Sequence, residues 1–392
     1  MRLLRTLPTT RLVALSVTVV ALFAAVAALA VAASGSGGST PPPKPLADAV
    51  HDALAGPTVD GVTARVTFTN GMFPSGALLG NAGPVLMSGG SGRLWMTADG
   101  RGRIELQSDA GDAQIVWTPT DVTVYDASSN TAYHAALPAS QPAAPGADTP
   151  PSLARVTDVL TQLGLHAVVS AAMPTNVGGA PAYSASLSPK HDGGLLGSVE
   201  VAWDAAHAVP LRVAVYAQGA TAPVLALTTK DIAYGAVDNA AVDVKPPTNA
   251  KVVEIGSLTP NAGSTDGKHA TAVTGLDAVQ AAAGFPVTAP DALVGLPRKD
   301  VRLVGDGTSQ TVVVTYGQGL GAIVVAERKA TDAAGKGGML GSLPTVSLDG
   351  TPAHELSTQL GTIVQWQKNG VATTLAGSVP TAAAEAAARE LQ

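Results

Sequence analysis

The chain has 392 residues, of which 46% are hydrophobic and only 13% are charged, with a formal net charge of −6 and no cysteine. Phosphate binding depends on clustered Lys and Arg, which no stretch of this mildly acidic chain carries, so the composition argues against a nucleic-acid partner. The missing cysteines exclude disulfides, thiol nucleophiles, Cys-ligated metals and a lipid-modified cysteine.

An export segment is predicted at the N-terminus, residues 1–33. The uncharged run of residues 12–33 follows three basic residues, Arg2, Arg5 and Arg11. A basic flank before an apolar stretch is typical of exported proteins, and a run of roughly 20 residues spans a bilayer. We therefore expect a single-pass membrane anchor with an extracytoplasmic body. Small residues within 28–33 leave open a cleaved signal peptide and a secreted protein.

A Gly/Ser/Pro linker, residues 34–45, is predicted to separate this segment from a first domain over residues 46–250. That domain opens with a short helix from Leu46 and continues with alternating strands, of which the first carries Val62, Ala64, Val66 and Phe68. Short strands separated by turns predict an antiparallel meander. A helix from Leu153 interrupts it, with Ser152 as N-cap and Gly164 as its stop.

A second linker, residues 251–272, leads to a smaller α+β domain over residues 273–392. Thr274 and Asp277 predict a capping-box-like start to its first helix. Asn369-Gly370 predicts a tight hairpin, and an Ala-rich helix is expected at the end of the chain.

No enzyme active site, metal site or cofactor site is predicted. The seven histidines never occur at metal-binding spacing. The glycine-rich run 317–321 leads into a strand, so it predicts a hairpin turn rather than a dinucleotide loop. The acidic runs 109–112 and 238–239 lack the later carboxylate of a calcium site and are interpreted as solvated turns.

Two stretches resemble the LolA-like superfamily, which includes the periplasmic lipoprotein carrier and the N-terminal domain of RseB. The first runs from Asp121-Val-Thr-Val-Tyr125-Asp126 through Asn130 to Leu137-Pro138, and the second from Val199–Trp203-Asp204 to Pro210-Leu211-Arg212. The C-terminal part, around Leu348-Asp349-Gly350 and Leu360–Trp366, is similar to small α+β domains of Gram-positive and actinobacterial envelope proteins. The composition suits an actinobacterial genome.

The resemblance implies a mainly β fold, a LolA-like curved antiparallel half-barrel covered by helices, whose concave face binds lipid or lipoprotein acyl chains. On that basis the residues expected to form the core or the cavity are Phe68, Leu94, Met96, Ile104, Leu106, Val116, Val124 and Trp203. An aromatic residue on a strand is compatible with either role. The loop 70–92 is a candidate lid or an ordinary surface loop; its apolar residues are Met72, Phe73, Leu78, Leu79 and Met87.

The expected function is therefore non-enzymatic, extracytoplasmic binding of a lipid or lipoprotein acyl chain, as a carrier or a sensor. The alternative is an RseB-like regulatory protein that binds a membrane partner such as an anti-sigma factor.

Overall fold

The protein is mainly β, with two large, mostly antiparallel sheets and few helices, as the sequence predicts. The structure, a computed structural model, describes residues 39–72, 85–109, 111–137, 150–190, 194–255, 273–305, 310–330 and 343–392. The predicted membrane segment, residues 12–33, lies outside the described residues.

The first half of the first sheet is a meander preceded by one helix. Its strands alternate apolar and polar residues, and burial follows that alternation because one face is covered. The elements are α1 (Leu46–Leu54), β1 (Gly61–Asn70), α2 (Val85–Ser88), β2 (Gly90–Thr97), β3 (Gly102–Ser108), β4 (Gly111–Trp117), β5 (Asp121–Asp126) and β6 (Thr131–Ala136).

The second half adds strands on the other side of β1. The elements are α3 (Leu153–His166), β7 (Ala167–Val169), β8 (Met173–Val177), β9 (Ala180–Pro189), β10 (Leu196–Asp204), β11 (Pro210–Ala217), β12 (Leu225–Tyr234), α4 (Asn239–Val242) and β13 (Lys251–Ile255). The order across the sheet is β13-β6-β5-β4-β3-β2-β1-β12-β11-β10-β9-β7, with β8 also paired to β9. The sheet is open, and β13 pairs with β6 in parallel.

The second sheet lies in the C-terminal part and is covered by two helices. Its order is β14-β16-β17-β18-β22-β21-β20-β19, with β15 beside β16. The elements are β14 (Val273–Thr274), α5 (Leu276–Ala282), β15 (Ala292–Leu293), β16 (Leu296–Val304), β17 (Thr311–Tyr316), a 3-10 turn (Gly319–Gly321), β18 (Ile323–Lys329), β19 (Thr345–Leu348), β20 (Thr351–Thr358), β21 (Gly361–Lys368), β22 (Val371–Gly377) and α6 (Thr381–Glu390).

Two local predictions are confirmed. Ser152 caps α3, because its side chain accepts a hydrogen bond from Arg155 N at 3.3 Å. Asn369 and Gly370 have φ values of 52° and 76°, which is the left-handed backbone that a tight hairpin turn requires.

Three local predictions are wrong. Gly164 does not end α3, which continues to His166. Thr274 does not cap α5, since the N-cap position belongs to Gly275 and carries no side-chain hydrogen bond. The predicted linker 251–272 begins with a strand, because Lys251–Ile255 forms β13.

Candidate functional site

One face of the first sheet, which we call the inner face, is continuously apolar. Paired residues share a face, and the register aligns one row across β1–β6: Ala64, Leu94, Ile104, Ile115, Val124 and Tyr133. Neighbouring residues at the same phase join this row in a single buried cluster. The inner face is therefore an uninterrupted and largely buried apolar layer about six strands wide.

Most of the predicted core or cavity residues meet on the inner face. Five of them are buried there and Leu94 is half-buried; the six are Phe68, Leu94, Met96, Ile104, Leu106 and Val124. Val116 lies on the opposite face, in register with Arg103 and Thr123, because its neighbour Ile115 takes the inward position. Trp203 belongs to a separate cluster under α1, where its ring centroid is 6.2 Å from that of Tyr183.

The described ends of the connection between β1 and β2 cover part of the inner face, and a buried side-chain amide joins these two ends. Asn70 Nδ2 donates to Leu86 O at 2.7 Å, and Asn70 Oδ1 accepts from Met72 N at 2.9 Å. Met72, Val85 and Leu86 are all buried in the cluster. The sequence did not single out Asn70, whose only local signal is its place at the end of an alternating strand.

The predicted lid falls on this connection. Met72 is buried in the cluster, and Met87 is half-buried on the single-turn helix α2. The other lid residues, Phe73, Leu78 and Leu79, lie outside the described residues. The described part of the connection is thus packed against the inner face.

The second sheet also contacts the edge of this cluster. Gln359 Nε2, in the turn between β20 and β21, donates to Gly71 O at 2.8 Å. Leu360 of the same turn packs against the inner-face cluster. A second contact joins Leu195 N to Ser378 O at 3.1 Å. The turn that carries Gln359 and Leu360 therefore lies beside Met72, where the connection begins.

A buried polar group holds the β10–β11 turn. Asp204 Oδ1 accepts from the backbone N of Ala206 and of His207, at 2.8 and 2.9 Å, and from His207 Nδ1 at 2.7 Å. Asp204 Oδ2 accepts from the Tyr234 hydroxyl at 2.7 Å. Burial, together with the bond to Asp204, raises the pKa of that hydroxyl. Both carboxylate oxygens of Asp204 are thus hydrogen-bonded, Oδ1 to the turn itself and Oδ2 to Tyr234 of β12.

A polar cleft of about 310 Å³ lies across β8–β12, on the face opposite Trp203. Its charged lining residues are Glu200, Arg212 and Lys230. Arg212 Nη2 donates to the Tyr216 hydroxyl at 2.8 Å, and that hydroxyl donates to Glu200 Oε2 at 3.2 Å. Arg212 and Glu200 largely neutralise each other, so the cleft is only weakly basic.

Two further observations concern the described residues alone. They contain no group of three or more His, Cys, Asp or Glu side chains placed to hold a metal ion. Within the same ranges, every helix is too short or too polar to span a membrane.

Comparison with solved structures gives remote likenesses, among them the following two. The crystal structure of MucB has a TM-score of 0.37 and 14% identity, over 88% of this chain and 96% of that one. An uncharacterized conserved protein from Thermus thermophilus has a TM-score of 0.32 and 12% identity, over 54% of this chain and 97% of that one. No family model and no curated protein matches. Likenesses this remote establish no shared activity.

Proposed function

We propose that this chain is a non-enzymatic binding protein of the cell envelope. Residues 12–33 would hold it at the outer face of the membrane, and its inner face would take up a lipid or lipoprotein acyl chain. The observation that carries the proposal is the continuous apolar inner face, covered in part by the described ends of the β1–β2 connection, which include Met72 and α2.

The energetics favour an acyl chain as the occupant. Its entry would displace Met72, Val85 and Leu86 from the inner face, at about 1.5–3 kcal/mol for each exposed side chain. Burial of an acyl chain of about sixteen carbons gains about 0.8 kcal/mol per methylene, or about 12 kcal/mol. The free energy gained by burying the acyl chain exceeds the cost of exposing Met72, Val85 and Leu86. A short apolar ligand would gain less than that cost.

Photocrosslinking of the full chain tests the proposal. A diazirine fatty acid, added to the chain in lipid nanodiscs and activated by light, should label peptides from β3 and β4 that carry Ile104, Leu106 and Ile115. An excess of unlabelled fatty acid should suppress that labelling. Labelling confined to residues 12–33 would contradict acyl-chain binding by the inner face.

A regulatory function is the second candidate, and the contact between the two sheets favours it. Because Gln359 and Leu360 touch the start of the connection, movement of Met72 would reach the second sheet directly. In that case the chain would report an occupied inner face to the extracytoplasmic part of a membrane protein. Leu360→Asp should then abolish copurification of that partner while fatty-acid labelling persists. Retention of the partner by the variant would contradict this candidate.

A further inference from the structure

Exposed apolar side chains are concentrated at one rim of the first sheet. Among the described residues, five of the seven large hydrophobic side chains that are exposed lie in α3, β7 and β8. We call these five residues the β8 rim: Leu153, Val159, Leu165, Val168 and Met173, with exposed fractions of 41%, 51%, 57%, 57% and 59%. Soluble proteins seldom concentrate exposed apolar residues in one short segment unless that segment contacts something.

The rim has two parts: helix α3, which is only partly buried against the fold, and the edge of the sheet formed by β7 and β8. Helix α3 directs an apolar stripe at the fold, but only Val156 is buried, so Leu153 and Val159 at the margins of the stripe stay in solvent. Leu165 lies on the side of the helix opposite to Val156. Strands β7 and β8 both pair with β9 and form the end of the sheet. Val168 and Met173 pair with Ser188 and Ser184, so they share one face of that edge.

The N-terminal segment enters the folded body at the same sheet edge, over the face opposite to the one that carries Val168 and Met173. Asn176 of β8 donates from Nδ2 to Ser39 O at 3.4 Å, and the Tyr183 hydroxyl donates to Pro42 O at 2.6 Å. Residues 34–38 alone separate Ser39 from the apolar run that ends at residue 33. Five residues reach at most about 18 Å when fully extended. A membrane that holds the run is therefore within reach of β8.

The charges around the rim fit a lipid surface. Lys190 Nζ donates to Gly164 O at 3.2 Å, which places an ammonium group beside Leu165. Arg155 is exposed on α3, and Asp158 is the carboxylate on the same helix. Apolar side chains flanked by cationic ones are the composition that binds the boundary between lipid headgroups and acyl chains.

We propose that the β8 rim is a membrane-docking surface, and that its occupant is the outer leaflet of the bilayer in which residues 12–33 are anchored. The inference rests on the anchorage in the proposed function and adds which side of the body faces the lipid. The short tether keeps the rim at a high local concentration near the bilayer, so weak apolar contacts suffice to orient the body. In this orientation β8 lies on the lipid and β13, at the other end of the sheet, points away.

The absence of cysteine from the chain makes a direct test simple. The full-length variants Val168→Cys and Met173→Cys, each carrying an environment-sensitive fluorophore, are reconstituted in vesicles of equal parts phosphatidylcholine and phosphatidylglycerol. Val252→Cys and Val304→Cys are the matched controls, since both are exposed apolar residues, at 62% and 38%, on other elements. Quenching by spin-labelled acyl chains should be at least about twofold stronger at 168 and 173 than at the control positions.

Each other outcome overturns a definite part of the inference. A chain that fails to float with the vesicles overturns the anchorage, and with it the rim. A chain that floats but is quenched equally at all four positions overturns the rim while the anchorage stands. Labels at 168 and 173 that are shielded from aqueous quencher but not reached by lipid quencher identify a protein, or a second copy of this chain, as the occupant, and overturn the bilayer as occupant.

Discussion

Asn70 donates its side-chain amide to the carbonyl oxygen of Leu86 over 2.7 Å, across a connection that leaves β1 and returns to β2. The same side chain accepts from Met72 N, so one residue sets both the departure and the return of the chain. Because Asn70 is buried, water cannot replace either bond without local opening. The cover of the inner face thus depends on a polar residue.

Substitution of Asn70 tests that dependence. Asn70→Ala leaves the Leu86 carbonyl and the Met72 amide without their partner, and a buried polar group left unpaired costs about 1–3 kcal/mol. We expect a loss of about 2–4 kcal/mol in urea unfolding and faster amide hydrogen exchange at Val85–Ser88. Asn176→Ala is the control, because it removes a single 3.4 Å bond at the surface. Equal exchange rates in the two variants would contradict the role of Asn70.

The inward direction of Ile115 gives a second test. Ile115 is buried on the inner face, whereas Val116 faces the other way and is half-buried. Ile115→Ala should cost about 2–5 kcal/mol, as a truncation in a packed core does. Val116→Ala removes less buried surface and should cost less than about half as much. The free energies of unfolding of the two variants are compared by urea unfolding in the same buffer. A larger loss of stability for Val116→Ala than for Ile115→Ala would contradict the assignment of Ile115 to the core.

Alternation predicted most of the first sheet, because a strand with one covered face repeats every two residues. It assigned Val116 to the core or cavity, although the consecutive residue Ile115 is also apolar. Pairing decides between them, since Ile115 lies opposite Ile104 and Val124, whereas Val116 lies opposite Arg103. The phase of a strand with adjacent apolar residues is therefore set by its neighbours.

Some helices and strands were not predicted because contacts with residues distant in the sequence stabilise them, and their own sequences show no helical or strand periodicity. Strand β13 pairs in parallel with β6, which lies more than a hundred residues earlier. The sequence around Lys251 therefore carries no local turn or hairpin signal that predicts this strand. Helix α2 is one turn long, too short for helical periodicity, and Asn70 positions it. Strands β7 and β8 are short edge strands, and Pro174 interrupts the second one.

The buried carboxylate at the β10–β11 turn predicts a graded series of variants. Asp204→Ala removes the acceptor of four hydrogen bonds and should cost about 3–5 kcal/mol, because hydrogen bonds to a charged group are each worth about 1.5–3 kcal/mol and are not additive. Tyr234→Phe removes one of the four and should cost about 1.5–3 kcal/mol. Urea unfolding of both variants is the measurement. A smaller loss for Asp204→Ala than for Tyr234→Phe would show that the carboxylate does not hold the turn.

Glu327 predicts a pH dependence of stability in the second sheet. Its side chain is 2% exposed, and burial raises the pKa of its carboxyl to about 7, although Thr288 N donates to Oε2 at 2.9 Å. The folded state therefore binds this proton more tightly than the unfolded state, whose carboxyl titrates near the ordinary value of 4.5. Between these two pH values the free energy of unfolding should fall as pH rises, and above about 7 this contribution should be constant.

The substitution Glu327→Gln isolates that slope. Glutamine keeps the shape and an oxygen for Thr288 N but carries no titrating group, so the decline between pH 4.5 and 7, on the order of 3 kcal/mol, should disappear. At neutral pH the variant should be more stable than the parent chain, because the cost of a buried charge is removed. Urea unfolding across this pH range is the measurement, and Asp60→Asn, at an exposed carboxylate, should keep the slope. A slope retained by Glu327→Gln would assign the pH dependence to other groups.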